Sequence, residues 1–245
     1  MDRSLLLLSN SRDTEGRFLV HAREALAAQL TGVREAVFVP FAAVTISYDA
    51  YLARVRPVFD ALGVTLSGVH THATPREALA EAPAVIVGGG NTLRLLERLQ
   101  HLEVLAVLRT RVGGGMPYVG WSAGSVLAGP SISTTNDMPI VCPPGGLAGL
   151  GVIGCHVNAH FTDAHPPGFR GETRRERLAE FLALQPSARV VGLPEGSWLE
   201  VSGAAITLGG PHDAPCFAAG EAVSLTAGSR VERMLEPDGP ASRSP

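Results

Sequence analysis

A chain of 245 residues with 45% hydrophobic and 18% charged residues and a formal net charge of −3 has room for an ample core, in one large domain or two small ones. It lacks the basic excess that nucleic acid demands, and its longest apolar runs, such as Leu5–Leu8 and Ala84–Val87, are far too short to span a bilayer. All 20 of its Lys+Arg residues are arginine, which excludes a lysine Schiff base, a Ser-Lys dyad and a P-loop lysine.

The predicted elements alternate between short apolar runs and helical periodicity. Leu5–Leu8 is a strand ending in the polar Ser9-Asn10-Ser11; a helical stretch follows around His21–Leu30, then Ala36–Val39 closed by Pro40. Ala50–Leu62 reads as a helix, Val64–Val69 as a strand, and Ala84–Val87 as a strand running into Gly88-Gly89-Gly90. Leu93, Leu95, Leu96 and Leu99 mark a helix with Asn91 as its N-cap; Val104–Val112 is a second helix, and Met116–Val119 another buried strand. Ser131–Leu150 has no periodicity. Thr173-Arg174-Arg175-Glu176 has capping-box spacing before a helix, and Val190–Leu193, Trp198–Val201 and Ala205–Leu208 read as strands, partly antiparallel. Continuous apolar strands separated by helices predict an α/β fold with a doubly wound, mostly parallel sheet. The expected division is a single domain over residues 1–231 and a flexible, proline-containing tail over 232–245. The N-terminus lacks the long apolar core and small-residue cleavage site of a signal peptide. Three cysteines without a CxxC suggest reduced thiols in a cytoplasmic protein, with no disulfide framework or zinc site.

In such sheets ligands bind beyond the carboxyl ends of the strands. Gly120-Trp121-Ser122-Ala123-Gly124 fits G-x-S-x-G directly after a predicted strand, the pattern of a nucleophile elbow that projects a serine hydroxyl over the sheet edge. The Ala123 amide and an amide of Gly89 or Gly90 are natural oxyanion donors. A serine nucleophile needs a base and an orienting acid. His160 and His156 both follow or enter an apolar run, and their spacing without HExxH is a poor metal signature. Asp137 and Glu195 both lie at polar turns beside apolar runs, and composition does not choose between them.

Eight ordered segments carry a more specific signal: LLLLSNS (5–11), VFVPFA (37–42), IVGGGNT (86–92), GWSAG (120–124), TTNDMPIV (134–141), NAHFT (158–162), GETR (171–174) and LPEGSW (193–198). Through them the chain resembles the peptidase E family of alpha-aspartyl dipeptidases up to about Val231. The resemblance implies a fold akin to class I glutamine amidotransferases, though serine rather than cysteine at the elbow argues against an amidotransferase. It implies a serine peptidase with Ser122, Asp137 and His160 as a triad, Glu195 being the second-ranked acid. Ala159 departs from the proline usual before the family's histidine. The family cleaves Asp-Xaa dipeptides. The resemblance assigns Arg174 to the aspartate carboxylate, with Asn91 and Glu195 as weaker substrate contacts and Glu172 weaker still. No metal or organic cofactor is implied, and the expected partners are small dipeptides, with no nucleic acid or membrane; oligomeric state is not legible. The rival readings are a cyanophycinase-like hydrolase of β-aspartyl-arginine material and a non-catalytic module binding an acidic ligand.

Overall fold

The computed structural model describes residues 3–165 and 167–232. The expected tail falls, from 233 on, outside the described residues.

A seven-stranded sheet forms the centre, in the order β3-β2-β4-β5-β1-β8-β9. Its parallel strands are β1 (Ser4–Leu8), β2 (Glu35–Val39), β3 (Thr65–Gly68), β4 (Val85–Val87) and β5 (Tyr118–Trp121). β8 (Trp198–Ser202) and β9 (Ala205–Gly209) complete one edge antiparallel. The uninterrupted Leu5–Leu8 run is explained by its place: all four side chains are fully buried, flanked by β5 and β8. Leu5 and Leu7 join one core cluster and Leu6 and Leu8 the other, so alternate residues serve opposite faces of the sheet.

Helices α1 (Arg23–Gln29), α2 (Tyr48–Asp60), α3 (Pro75–Glu81), α4 (Thr92–His101), α5 (Leu105–Gly113) and α6 (Ala123–Leu127) link the parallel strands and continue from β5. α4 begins where the sequence indicates: the Asn91 side chain accepts from the Arg94 amide at 3.0 Å. No helix among the described residues is long and apolar enough to cross a membrane.

A second sheet, in the order β11-β10-β7-β6, joins β6 (His156–Ala159), β7 (Val190–Leu193), β10 (Ala214–Ala218) and β11 (Glu221–Leu225). Helix α7 (Arg174–Leu184) packs on it through Leu178 and Leu182. The two sheets share a core, since Val157, Val191 and Leu193 belong to the same buried cluster as Leu5 and Leu7. The chain passes from β7 to β8, and so from the small sheet to the large one, through the segment that holds Glu195.

Four elements have no counterpart in the sequence reading. α3 offers one buried leucine, Leu79, after its N1 proline, too little for visible periodicity. β6 buries the polar His156 and Asn158 as well as Val157, which hides its strand character. β10 contains Pro215, and β11 is exposed over four of its five residues.

Candidate active site

Strand β5 delivers Ser122 at φ 52°, ψ −113°, a strained conformation for a residue with a side chain. The surrounding contacts over-determine it. The Ser122 amide donates to the Leu8 carbonyl at 3.0 Å, and the buried Ser125 hydroxyl reaches the same carbonyl at 2.6 Å. The Tyr118 hydroxyl donates to the Gly124 carbonyl at 2.6 Å, its pKa pushed well up by complete burial so that it stays a neutral donor. Small residues are required here: a Cβ on Gly120 would lie 2.7 Å from the Gly124 carbonyl, and one on Gly124 would lie 2.3 Å from the Val87 oxygen.

The 88–90 loop faces the serine from the end of β4. Trp121 Nε1 donates to the Tyr51 hydroxyl at 2.9 Å, and that hydroxyl donates to the Gly89 carbonyl at 3.1 Å. Burial pushes the Tyr51 pKa up to about 12, which keeps the phenol protonated for this bond. In a trans peptide, fixing the Gly89 carbonyl directs the Gly90 N–H the opposite way. The amides of Gly90 and Ala123 donate to no acceptor among the described residues. Because α6 has only five residues, an anion at its N-terminus would be held by such free amides more than by a macrodipole.

His160 follows β6 directly, also in a left-handed conformation at φ 54°. Its Nε2 lies 2.9 Å from Ser122 Oγ and its Nδ1 lies 2.6 Å from Glu195 Oε1. The acid facing the histidine is thus Glu195, the second-ranked candidate. Asp137 is directed elsewhere: its Oδ2 accepts from the Thr92 amide at 2.7 Å and from the Thr135 hydroxyl at 2.9 Å. The physical reason is that the N-terminus of α4 offers Asp137 an unpaired amide, whereas the 194–197 turn carries Glu195 across to the histidine. His156 is a core residue, 4% exposed, edge-on to Phe181 at 5.1 Å.

Two residues at the end of β1 tie these parts together. The Ser9 hydroxyl, fully buried, donates to the Leu193 carbonyl at 2.7 Å and accepts from the His160 amide at 2.9 Å. Asn10 accepts from the Gly196 amide at 2.8 Å and donates to the Arg12 carbonyl at 2.6 Å. The polar Ser9-Asn10-Ser11 run at a strand end is the only sign of this in the sequence, and it does not specify partners.

Arg174 opens α7 behind a complete capping box: the Thr173 hydroxyl accepts from the Glu176 amide at 3.1 Å, and Glu176 accepts from the Thr173 amide at 2.7 Å. Its Nη1 donates to the Ala159 carbonyl at 3.2 Å and to the His160 carbonyl. Nε and Nη2 have no acceptor among the described residues. Burial pushes the Arg174 pKa below the ordinary arginine value, with Glu195 acting in the opposite sense. Arg174 lines a cavity of about 250 Å³ with Ser122, Thr135, Asp137 and His160. On the other side of the serine a cavity of about 660 Å³ is walled by Phe18, Ile46, Arg54, Trp121 and Ile140, among others.

Asn91 borders the larger cavity, but both ends of its amide are occupied, one as the α4 cap and the other donating to the Met138 carbonyl at 2.9 Å. Glu172 is exposed, lies 3.6 Å from Arg177 and lines neither cavity. No group of three or more metal-ligating side chains occurs among the described residues.

Three comparisons set this geometry among known proteins. The family model of peptidase family S51 matches residues 5–209. The chain is 48% identical to peptidase E of Salmonella arizonae and 49% identical to peptidase E of Citrobacter koseri, in each case over 227 residues covering 92% of this chain and 99% of the relative. The crystal structure of a peptidase from an acI-B1 Actinobacterium superposes with a TM-score of 0.61 at 16% identity, covering 92% of this chain and 98% of the other; at that identity the likeness is one of fold.

Proposed function

Because the chain belongs to peptidase family S51 and is a serine-type peptidase, we propose that it hydrolyses dipeptides with an N-terminal aspartate, using Ser122 as nucleophile, His160 as base and Glu195 as the orienting acid. The observation that carries this reading is the Ser122–His160–Glu195 chain at 2.9 and 2.6 Å, at the junction of a small cavity containing an arginine and a larger, open one.

The chemistry follows from the atoms. Glu195 accepts a hydrogen bond from the Nδ1–H of His160, which holds the tautomer whose Nε2 is free to take the Ser122 proton as Oγ attacks the peptide carbonyl. The Ala123 and Gly90 amides serve the developing oxyanion, and Tyr51 keeps the Gly89–Gly90 peptide turned for that purpose. His160 then protonates the departing amine, and water cleaves the aspartyl ester by the reverse sequence.

The small cavity suits the aspartyl side chain. Arg174 is the cation in its wall, and its Nε and Nη2 remain available for a carboxylate. The leaving residue takes the 660 Å³ cavity, where Phe18, Ile46 and Ile140 suit an apolar side chain. Hydrolysis of Asp-Leu by wild type and Ser122→Ala tests the nucleophile, and undiminished turnover in the variant would remove it. A panel of Asp-Leu, Asn-Leu, Glu-Leu and Ala-Leu tests the specificity. Equal kcat/KM for Asp-Leu and Asn-Leu would refute the carboxylate assignment.

A further inference from the structure

The Glu195 side chain is exposed, and His160 is its only hydrogen-bond partner among the described residues. Its place at the histidine therefore depends on the backbone that carries it. Residues 194–197 form a turn closed by the Ser197 amide, which donates to the Pro194 carbonyl at 3.1 Å. Gly196, in third place, has φ 82°, and Glu195, in second place, has no positive φ; this is type II geometry. Types I and II differ by a half-turn of the central peptide, and a glycine in third place is compatible with both. The turn's own residues thus leave the Glu195–Gly196 peptide undetermined. Its half-turn would change ψ of Glu195 and, with it, the rotamers that the side chain favours.

Asn10 supplies what the turn lacks. Its Oδ1 accepts from the Gly196 amide, in that central peptide, at 2.8 Å, and its Nδ2 donates to the Arg12 carbonyl at 2.6 Å. The residue is 6% exposed, so water is a poor substitute for either partner. Nor can the side-chain amide turn over, since that would set its NH2 against the Gly196 N–H and its oxygen against the Arg12 carbonyl. The Arg12 end is itself held, by the antiparallel bridge between Arg12 and Phe18 and by the Leu19 amide donating to the Ser11 carbonyl at 2.7 Å. One residue earlier, Ser9 holds the amide of the base at 2.9 Å. Two successive residues at the end of β1 thus anchor the base and the turn of the acid to the same strand.

We propose that Asn10 is a positioning residue for the triad: by holding the Glu195–Gly196 peptide it keeps the carboxylate within reach of His160 Nδ1, a role that rests on the Glu195 assignment above. A shift of the turn by about 1 Å takes the 2.6 Å contact beyond hydrogen-bonding distance.

The test is a double-mutant cycle between Asn10→Ala and Glu195→Ala. It is read as kcat on Asp-Leu and, independently of any peptide, as the rate at which a fluorophosphonate labels Ser122. In the wild-type background Asn10→Ala should slow both by about five- to tenfold, with KM changed by less than about twofold. In the Glu195→Ala background the same substitution should cost less than about twofold, because the group it positions is gone. Thermal unfolding checks the folded state of each variant; should the alanine variant not fold, Asn10→Ser, too short to make the bond to Gly196, takes its place with the same expectations. Equal losses in both backgrounds would mean that Asn10 supports the site as a whole and not through the acid, which overturns the proposal. An unchanged kcat, or a rise in KM alone, also overturns it. Labelling of Glu195→Ala at the wild-type rate removes the acid assignment, and the proposal with it. A wild type that shows the expected cycle in labelling yet leaves Asp-Leu intact removes the dipeptidase reading and supports the positioning role.

Discussion

Replacing Glu195 should be mild by the standards of serine hydrolases, and the order of its variants is predictable. In a buried triad, changing the acid to its amide traps the histidine in the wrong tautomer and costs on the order of 10⁴ in kcat. Here the Glu195 side chain is 64% exposed and that of His160 is 39% exposed, so water competes for both. The 2.6 Å bond is charge-assisted, and at this exposure its contribution is at the low end of the range, about 1.5–2 kcal/mol. At 1.4 kcal/mol per factor of ten, Glu195→Ala should lower kcat by roughly 10–30-fold. His160 is the only partner of the carboxylate among the described residues, so nothing prevents a glutamine at this site from turning its carbonyl toward Nδ1–H. Glu195→Gln should therefore lose less than about tenfold. The assay is steady-state kcat at saturating Asp-Leu, with thermal unfolding as a control. An unchanged kcat in the alanine variant would mean that the acid lies elsewhere. A 10⁴-fold loss in the glutamine variant would mean that the tautomer is fixed by a closed site, contrary to the exposure argument.

Two further outcomes follow from neighbouring contacts. Ser9→Ala removes the hydroxyl between the His160 amide and the Leu193 carbonyl, leaving the His160 amide without its acceptor while Leu193 keeps its bond from the Phe161 amide at 3.0 Å; stability should fall by about 1–3 kcal/mol and kcat by roughly tenfold with KM little changed, measured by denaturant unfolding and by kinetics on Asp-Leu. A rise in KM alone would contradict a role in aligning the base. His21 has both ring nitrogens buried without a partner, and burial lowers its pKa from 6.5 against the opposing influence of Asp13 and Glu195. In the folded chain His21 therefore resists a proton that the unfolded chain accepts, so its contribution to stability is lost as pH falls below about 6.5. His21→Leu should flatten that part of the stability–pH curve between about pH 5 and 6.5, and an identical slope in wild type and variant would refute the assignment.

What the sequence made legible was local. A four-leucine run buried on both faces, a glycine-flanked serine after a strand, an asparagine cap and a capping box each declare themselves within a few residues, and each is present. The choice between Asp137 and Glu195 depended on which turn the fold brings to His160, and the two are separated by 58 positions of chain on opposite sides of the histidine. Motif order placed the aspartate first; the α4 N-terminus claims it instead. The same limit hid Ser9 and Asn10, whose partners lie more than 150 residues away, the His160 amide at a separation of 151 and the Gly196 amide at 186. Tyr51 falls inside the helix predicted over Ala50–Leu62 with nothing to single it out, and its bond to Gly89 emerges only when the helix packs beside the elbow.

The crossing of the chain between its two sheets has a further consequence. Ser122 is built on the large sheet, His160 on the small one, and Glu195 on the strap between them. The enzyme thus resembles an oligomer whose sites form at subunit seams, except that the seam is internal. A chain in which only one half has taken shape carries the serine or its base but not both within reach. Because the two sheets share one buried core, the reach between Ser122 and His160 is set by how one sheet packs on the other.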